Sequence, residues 1–118
     1  MKVKSQIVID VAREALWRVF DNSDKLKEWQ PQLAITEQSK PNFIAGIVTT
    51  RWSKAVVVYH LETHANNRTR CIVHGNHQFK GLNKLASVFV RQTILDGTDN
   101  DLQRLKQLAE AKDNGHRE

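Results

Sequence analysis

Four histidines, His60, His64, His74 and His77, fall within 18 residues, and imidazoles gathered in this way could ligate a transition metal. On an extended strand His60 and His64 share a face but stand about 13 Å apart, too far to hold one ion through bonds of ~2.1 Å. A site would therefore need cross-strand pairing of His60 or His64 with His74 or His77. Nothing in the sequence demands that register, solvated surface histidines are the preferred reading, and no metal is expected. The single cysteine, Cys71, could act as a nucleophile beside His60 or His74, although a lone cysteine in a strand is usually a small buried hydrophobe. Asp10, Glu37, Glu62 and His74 are the candidates for acid–base work, yet their positions also suit strand exteriors or helix caps. There is no Gly-x-Ser-x-Gly, phosphate loop or His-Glu-x-x-His, so no catalytic residue is assigned.

A second kind of site is an apolar wall. With His60 and Glu62 facing outward, Val57, Tyr59 and Leu61 face inward. Ile7 and Ile9 from the first strand join them, as do Leu85 and Phe89 from a late helix, with Trp29 packing a short helix against the sheet or the cavity mouth. An apolar ligand covering about 200 Å² of such a wall would gain ~5 kcal/mol before association costs. The same residues could equally pack on one another as a filled core. The Tyr59 hydroxyl, set in an apolar wall, would require a partner from protein, water or ligand.

These side chains must be positioned by recognisable elements. Val3, Ser5, Ile7, Ile9 and Val11 alternate as a strand. Ala12, Ala15, Leu16, Val19 and Phe20 then follow helical spacing, with Asp10 as a candidate cap and Trp17 off the main stripe. Asn22-Ser23-Asp24 interrupts that helix, and a second short helix, about 24–29, ends before Pro31. Extended segments follow at 33–39, 43–52, 55–63 and 69–79, with Gly75 a candidate bulge or bend. Their short connections require an antiparallel meander. After Gly81, the spacings of Leu82, Leu85, Ala86 and Phe89 and of Leu102, Leu105, Leu108 and Ala109 are helical. One continuous helix is preferred over a break at Gly97 with Thr98 as a new cap. Trp52 could be a groove residue or an edge cover.

The 118 residues, 40% of them hydrophobic and 26% charged, suit one domain over 1–112 with a frayed tail at 113–118. No apolar run approaches the ~20 residues of a membrane span, so an unprocessed cytoplasmic chain is expected. One cysteine excludes an intramolecular disulfide. The net charge of +5 is regional: residues 63–95 contain no acid, against Arg68, Arg70, Lys80, Lys84 and Arg91. The aromatics in that stretch, Phe79 and Phe89, are core-like, so a solvated basic face is preferred over nucleic-acid binding.

The run Ile7-Val8-Ile9-Asp10-Val11-Ala12-Arg13-Glu14-Ala15-Leu16-Trp17-Arg18-Val19-Phe20-Asp21, followed by Leu26-Lys27-Glu28-Trp29-Gln30-Pro31, resembles the opening of the polyketide cyclase/dehydrase and lipid-transport family of the START-like (SRPBCC) superfamily. Asp101 to Glu110, Asp-Leu-Gln-Arg-Leu-Lys-Gln-Leu-Ala-Glu, resembles that family's closing helix. The resemblance implies an α+β helix-grip fold, in which a curved antiparallel sheet wraps a long C-terminal helix and leaves an apolar cavity. It also implies binding of lipids, quinones or polyketides. Only 49 residues separate Pro31 from Gly81, room for about four strands, fewer than the family usually places there.

The leading expectation is a binder of a hydrophobic small molecule, without chemistry and without a cofactor, contacting Ile7, Ile9, Trp29, Val57, Tyr59, Leu61, Leu85 and Phe89. The alternatives are a protein- or RNA-interaction module using the basic face and the shortened sheet, with homodimerisation over an open edge, and a cyclase or dehydratase. The last would need a buried Asp, Glu or His reaching into the pocket.

Overall fold

The computed structural model describes residues 1–51, 53–65, 67–79 and 87–115, with side chains excepted at 87–89 and 112–115. The order is β1 (Lys2–Ile9), α1 (Arg13–Asp21), α2 (Ser23–Trp29), β2 (Leu33–Ser39), β3 (Phe43–Thr49), β4 (Ser53–His64), β5 (Arg68–Phe79) and α3 (Ser87–Gly115). The strands form one antiparallel sheet in the order β1-β5-β4-β3-β2. This is the α+β helix grip, with α3 packed against β1, α1 and α2.

The expected meander follows from its turns. Asn67 adopts φ 63° in the β4–β5 turn, a left-handed conformation that asparagine tolerates better than most residues. The β3–β4 turn is closed by the Thr50 N–H donating to the Ser53 carbonyl at 2.8 Å. Strand β3 accordingly stops at Thr49 rather than running to position 52, and β4 starts at Ser53. Trp52 itself, like Lys80, Gly81, Leu82, Lys84, Leu85 and Ala86, lies outside the described residues.

Several local expectations are corrected. Asp10 does not cap α1: Ala12 occupies the cap with no side-chain hydrogen bond. The Asp10 carboxylate instead meets Arg68 Nε at 3.2 Å. The corner between β1 and α1 is held by the buried Thr69 hydroxyl, which donates to the Val11 carbonyl at 2.8 Å. The cap that does form is Asn22, whose Oδ1 accepts from the amides of Asp24 and Lys25 and starts α2. Trp17 is buried rather than off the packed face, because α1 touches α2 and α3 as well as β4 and β5, so its buried arc is wider than one stripe.

Gly75 is not a bulge; it pairs in register with Val3 and Val57. A Cβ there would lie 2.8 Å from His77 Nε2, so glycine makes room for that ring. The irregularity lies in β2, between Ile35 and Glu37 opposite Gly46 and Ala45. A bulge of this kind increases local twist and bends a strand.

Helix α3 passes through Gly97 without a break. Leu102, Leu105 and Ala109 are buried and belong to the core beside Ile9, Val11, Leu16 and Trp29; none of residues 90–100 is. Lys106 Nζ donates to the Val8 carbonyl at 2.9 Å, and the Asp10 amide donates to Glu110 Oε2 at 2.9 Å. The N-terminal half is attached by exposed links, Arg91 to the Lys2 carbonyl and the Ser5 hydroxyl to the Asp99 carboxylate. The helix reaches Gly115, so it includes part of the segment expected to fray, and residues 116–118 lie outside the described residues.

Candidate functional site

Between α3, the inner face of the sheet and the α2–β2 junction lies a cavity of about 310 Å³. Its wall is built by strand alternation: Val57 and Tyr59 from β4, Val73 and Gly75 from β5 and Val3 from β1 point to the same side. Ile94 and Leu102, two helical turns apart, contribute from α3. Most of this surface is apolar, and the polar groups gather at two levels.

At one level Ser53, His77 and Thr50 line the space. The Thr50 and Ser53 hydroxyls are 2.8 Å apart, and Ala55 pairs with His77 across the strands. His77 loses basicity through burial and, secondarily, the nearby N-terminal ammonium. Four residues further along β4, about 13 Å away, Tyr59 marks the second level.

There Gln30 sits at the C-cap of α2, its amide N–H bonded to the Leu26 carbonyl at 2.7 Å. The helix ends there because Pro31 follows. Gln30, 7% exposed, donates through its side-chain Nε2 to Asp101 Oδ2 at 2.7 Å, and the Tyr59 hydroxyl belongs to the same wall. Arg104 donates to the other oxygen, Oδ1, at 2.9 Å. All four of these residues line the cavity. Burial raises the Asp101 carboxyl above its usual range, opposed by Arg104 and Gln30. Burial likewise pushes the Tyr59 phenol upward, so it is a neutral hydrogen-bonding group at any ordinary pH.

No family model and no curated protein matches this chain. Solved structures do. The protein TTHA0849 from Thermus thermophilus superposes with a TM-score of 0.68 at 10% identity, covering 95% of this chain and 99% of that one. A START superfamily protein from Mycobacterium smegmatis gives 0.68 at 10% identity, covering 91% and 98%. The fold is START-like. A Bacillus halodurans protein, BH1534, extends the likeness, with a TM-score of 0.71 at 17% identity over 92% and 96% of the two chains. At these identities the START-like likeness is one of backbone architecture.

Within this START-like frame, Val57 and Tyr59 stand on the cavity wall. Ile9, Trp29 and Leu61 are buried in the core rather than among the lining residues, and Ile7 is half-buried against that core. Leu85 lies outside the described residues; Phe89 lies in α3, with its side chain outside them. The acid–base candidates Asp10, Glu37, Glu62 and His74 are exposed and away from the cavity. The carboxylate and imidazole that line it are instead those of Asp101 and His77. His77 shares the inward parity of Val73 and could have been found from it. Asp101 is one position from buried Leu102, at the border of the helix stripe, where sequence periodicity does not separate cavity wall from solvent.

On the outer face His60 and His74 do meet across the strands, ring centroids 5.6 Å apart, with Phe43 beside His60. Among the described residues no three metal-ligating side chains cluster. Cys71 is fully buried, and burial raises its thiol to about 12. At pH 8 only about one thiol in 10⁴ would then be ionised. Modification by a disulfide reagent is therefore expected to be at least about a hundredfold slower in the folded protein than in denaturant; rapid native labelling would contradict that burial. No helix among the described residues is long and apolar enough to cross a membrane.

Proposed function

We propose that this chain binds a hydrophobic small molecule between α3 and the sheet and performs no chemistry on it. The observation that carries the reading is the cavity of about 310 Å³ with a mainly aliphatic wall; a fully packed core would leave no such space. The resemblance of the two chain ends to the polyketide cyclase/dehydrase and lipid-transport family supports it, as does the START-like architecture. The ligand touches Val57 and Tyr59 directly. Ile7, Ile9, Trp29 and Leu61 back that wall, and the chain works in the cytoplasm.

The space equals about ten water volumes at ~30 Å³ each, which favours a compact quinone or aromatic over a two-chain lipid. Filling it tests the reading. Titration with a two-ring quinone should quench tryptophan fluorescence saturably in the natural protein, and Val73→Phe should weaken that binding by at least about tenfold while leaving the circular dichroism spectrum unchanged. An unsaturable response in the natural protein would remove the proposal. Asp101 at the wall gives a second reading, acid–base turnover, some support. That reading requires a compound whose conversion is lost in Asp101→Asn while its binding persists.

A further inference from the structure

Gln30, Asp101 and Arg104, at the Tyr59 level of the cavity, form a connected set, and the free valences there specify what can lie against them. Asp101 uses one lone-pair direction on each oxygen, accepting from Gln30 Nε2 at 2.7 Å and from Arg104 at 2.9 Å. Each oxygen can still accept one more hydrogen. The Tyr59 hydroxyl, on the same cavity wall, can both donate and accept. A group settling here meets an acceptor and a neutral hydroxyl on one cavity wall, beside the aliphatic Val57 and Val73.

Resting on the cavity-binding reading, we infer that the ligand is a compact amphiphile with an uncharged hydroxyl head, an alcohol or phenol, which donates to Asp101 and contacts the Tyr59 hydroxyl while its apolar body lies along Val57 and Val73. A carboxylate or phosphate head would bring a second negative charge against Asp101. Arg104 does not reverse that preference: its side chain is 54% exposed against 26% for Asp101 and already faces Asp101 Oδ1, so its charge is the better screened of the two. A ligand without a polar head would strip water from a half-buried carboxylate and return no bond, which costs affinity.

Three probes matched in their apolar body separate these cases: para-propylphenol, propylbenzene and para-propylbenzoate, titrated into the isotope-labelled protein and followed by amide chemical shifts. The phenol should bind at least about tenfold more tightly than either other probe, the worth of one hydrogen bond to a charged acceptor. Asp101→Asn should reduce both gaps to within about threefold. Arg104→Gln, at an exposed position, should widen the gap between phenol and benzoate and guards against misfolding of the first variant. Equal affinity for phenol and propylbenzene, tightest binding of the benzoate, or an equal change for all three probes in Asp101→Asn would overturn the head-group assignment and leave the cavity reading standing. Binding of none of the three would overturn both.

Discussion

Replacing Trp29 with alanine is expected to destabilise the fold by roughly 3–5 kcal/mol, the range for removing a large aromatic from a core. The side chain is fully buried. Its ring stands edge-on to Phe20 at 5.1 Å and to Tyr59 at 5.5 Å, and Phe20 and Tyr59 lie 5.4 Å apart, so the three rings form a closed triangle. Edge-to-face pairs contribute about 0.5–1.5 kcal/mol each beyond area burial. The indole N–H has no hydrogen-bond partner among the described residues, an arrangement that itself costs about 1–3 kcal/mol. Trp29→Phe should therefore lose much less than Trp29→Ala, because it keeps an aromatic in the triangle and removes an unpaired donor. Urea denaturation followed by far-ultraviolet circular dichroism would compare them. Equal losses would show that the triangle does not carry the stability assigned to it. Since Tyr59 lies on the cavity wall, Trp29→Ala should also weaken ligand binding without touching the ligand.

The second large effect is expected at Gly46. A Cβ built there would lie 2.5 Å from the Ala34 carbonyl oxygen and 2.7 Å from Leu33 Cδ1. The first of these is main chain and cannot swing aside. The close approach arises where β2 bulges between Ile35 and Glu37, so a larger residue must either separate β2 from β3 or undo the bulge. Gly46→Val should cost about 1–3 kcal/mol or more, the range for forced overpacking. Because Val48, two residues along the same strand, lines the cavity, it should also reduce affinity for the ligand. Thermal unfolding together with the quinone titration would test both parts. A Gly46→Val protein of natural stability would mean that the backbone contact is readily relieved.

Much of the architecture could be read from residue order alone, because it depends on near neighbours. The alternation from Val3 to Ile9, the apolar spacing in α1 and connections too short for parallel crossovers each restrict the chain locally, and together they leave few folds. The inward parity of Val57, Tyr59 and Leu61 follows from the same rule, and all three are buried. What parity cannot say is which inward residues meet a void and which meet another side chain. Leu61 and Tyr59 share a face, yet only Tyr59 lines the cavity, because the buried stretch of α3 ends around Leu102. The polar cluster was less legible still. Gln30, Tyr59 and Asp101 come from three separate stretches of chain, and they share one wall, with Gln30 bonded to Asp101, only once α2, β4 and α3 have packed. Asp10 shows the opposite failure: its position suits a cap, but a partner 58 residues away claims its carboxylate.

The uneven seating of α3 bears on how a guest could enter. Past Leu102 the rod is fastened by Leu105, Ala109 and the Lys106 and Glu110 contacts, and prising up each leucine would forfeit about 1.5–3 kcal/mol. Nearer Ser87, none of residues 90–100 is buried and the described polar links face solvent. Lifting the helix past Leu102 would therefore expose the core, whereas the stretch from 90 to 100 borders the cavity at Ile94 without taking part in that core.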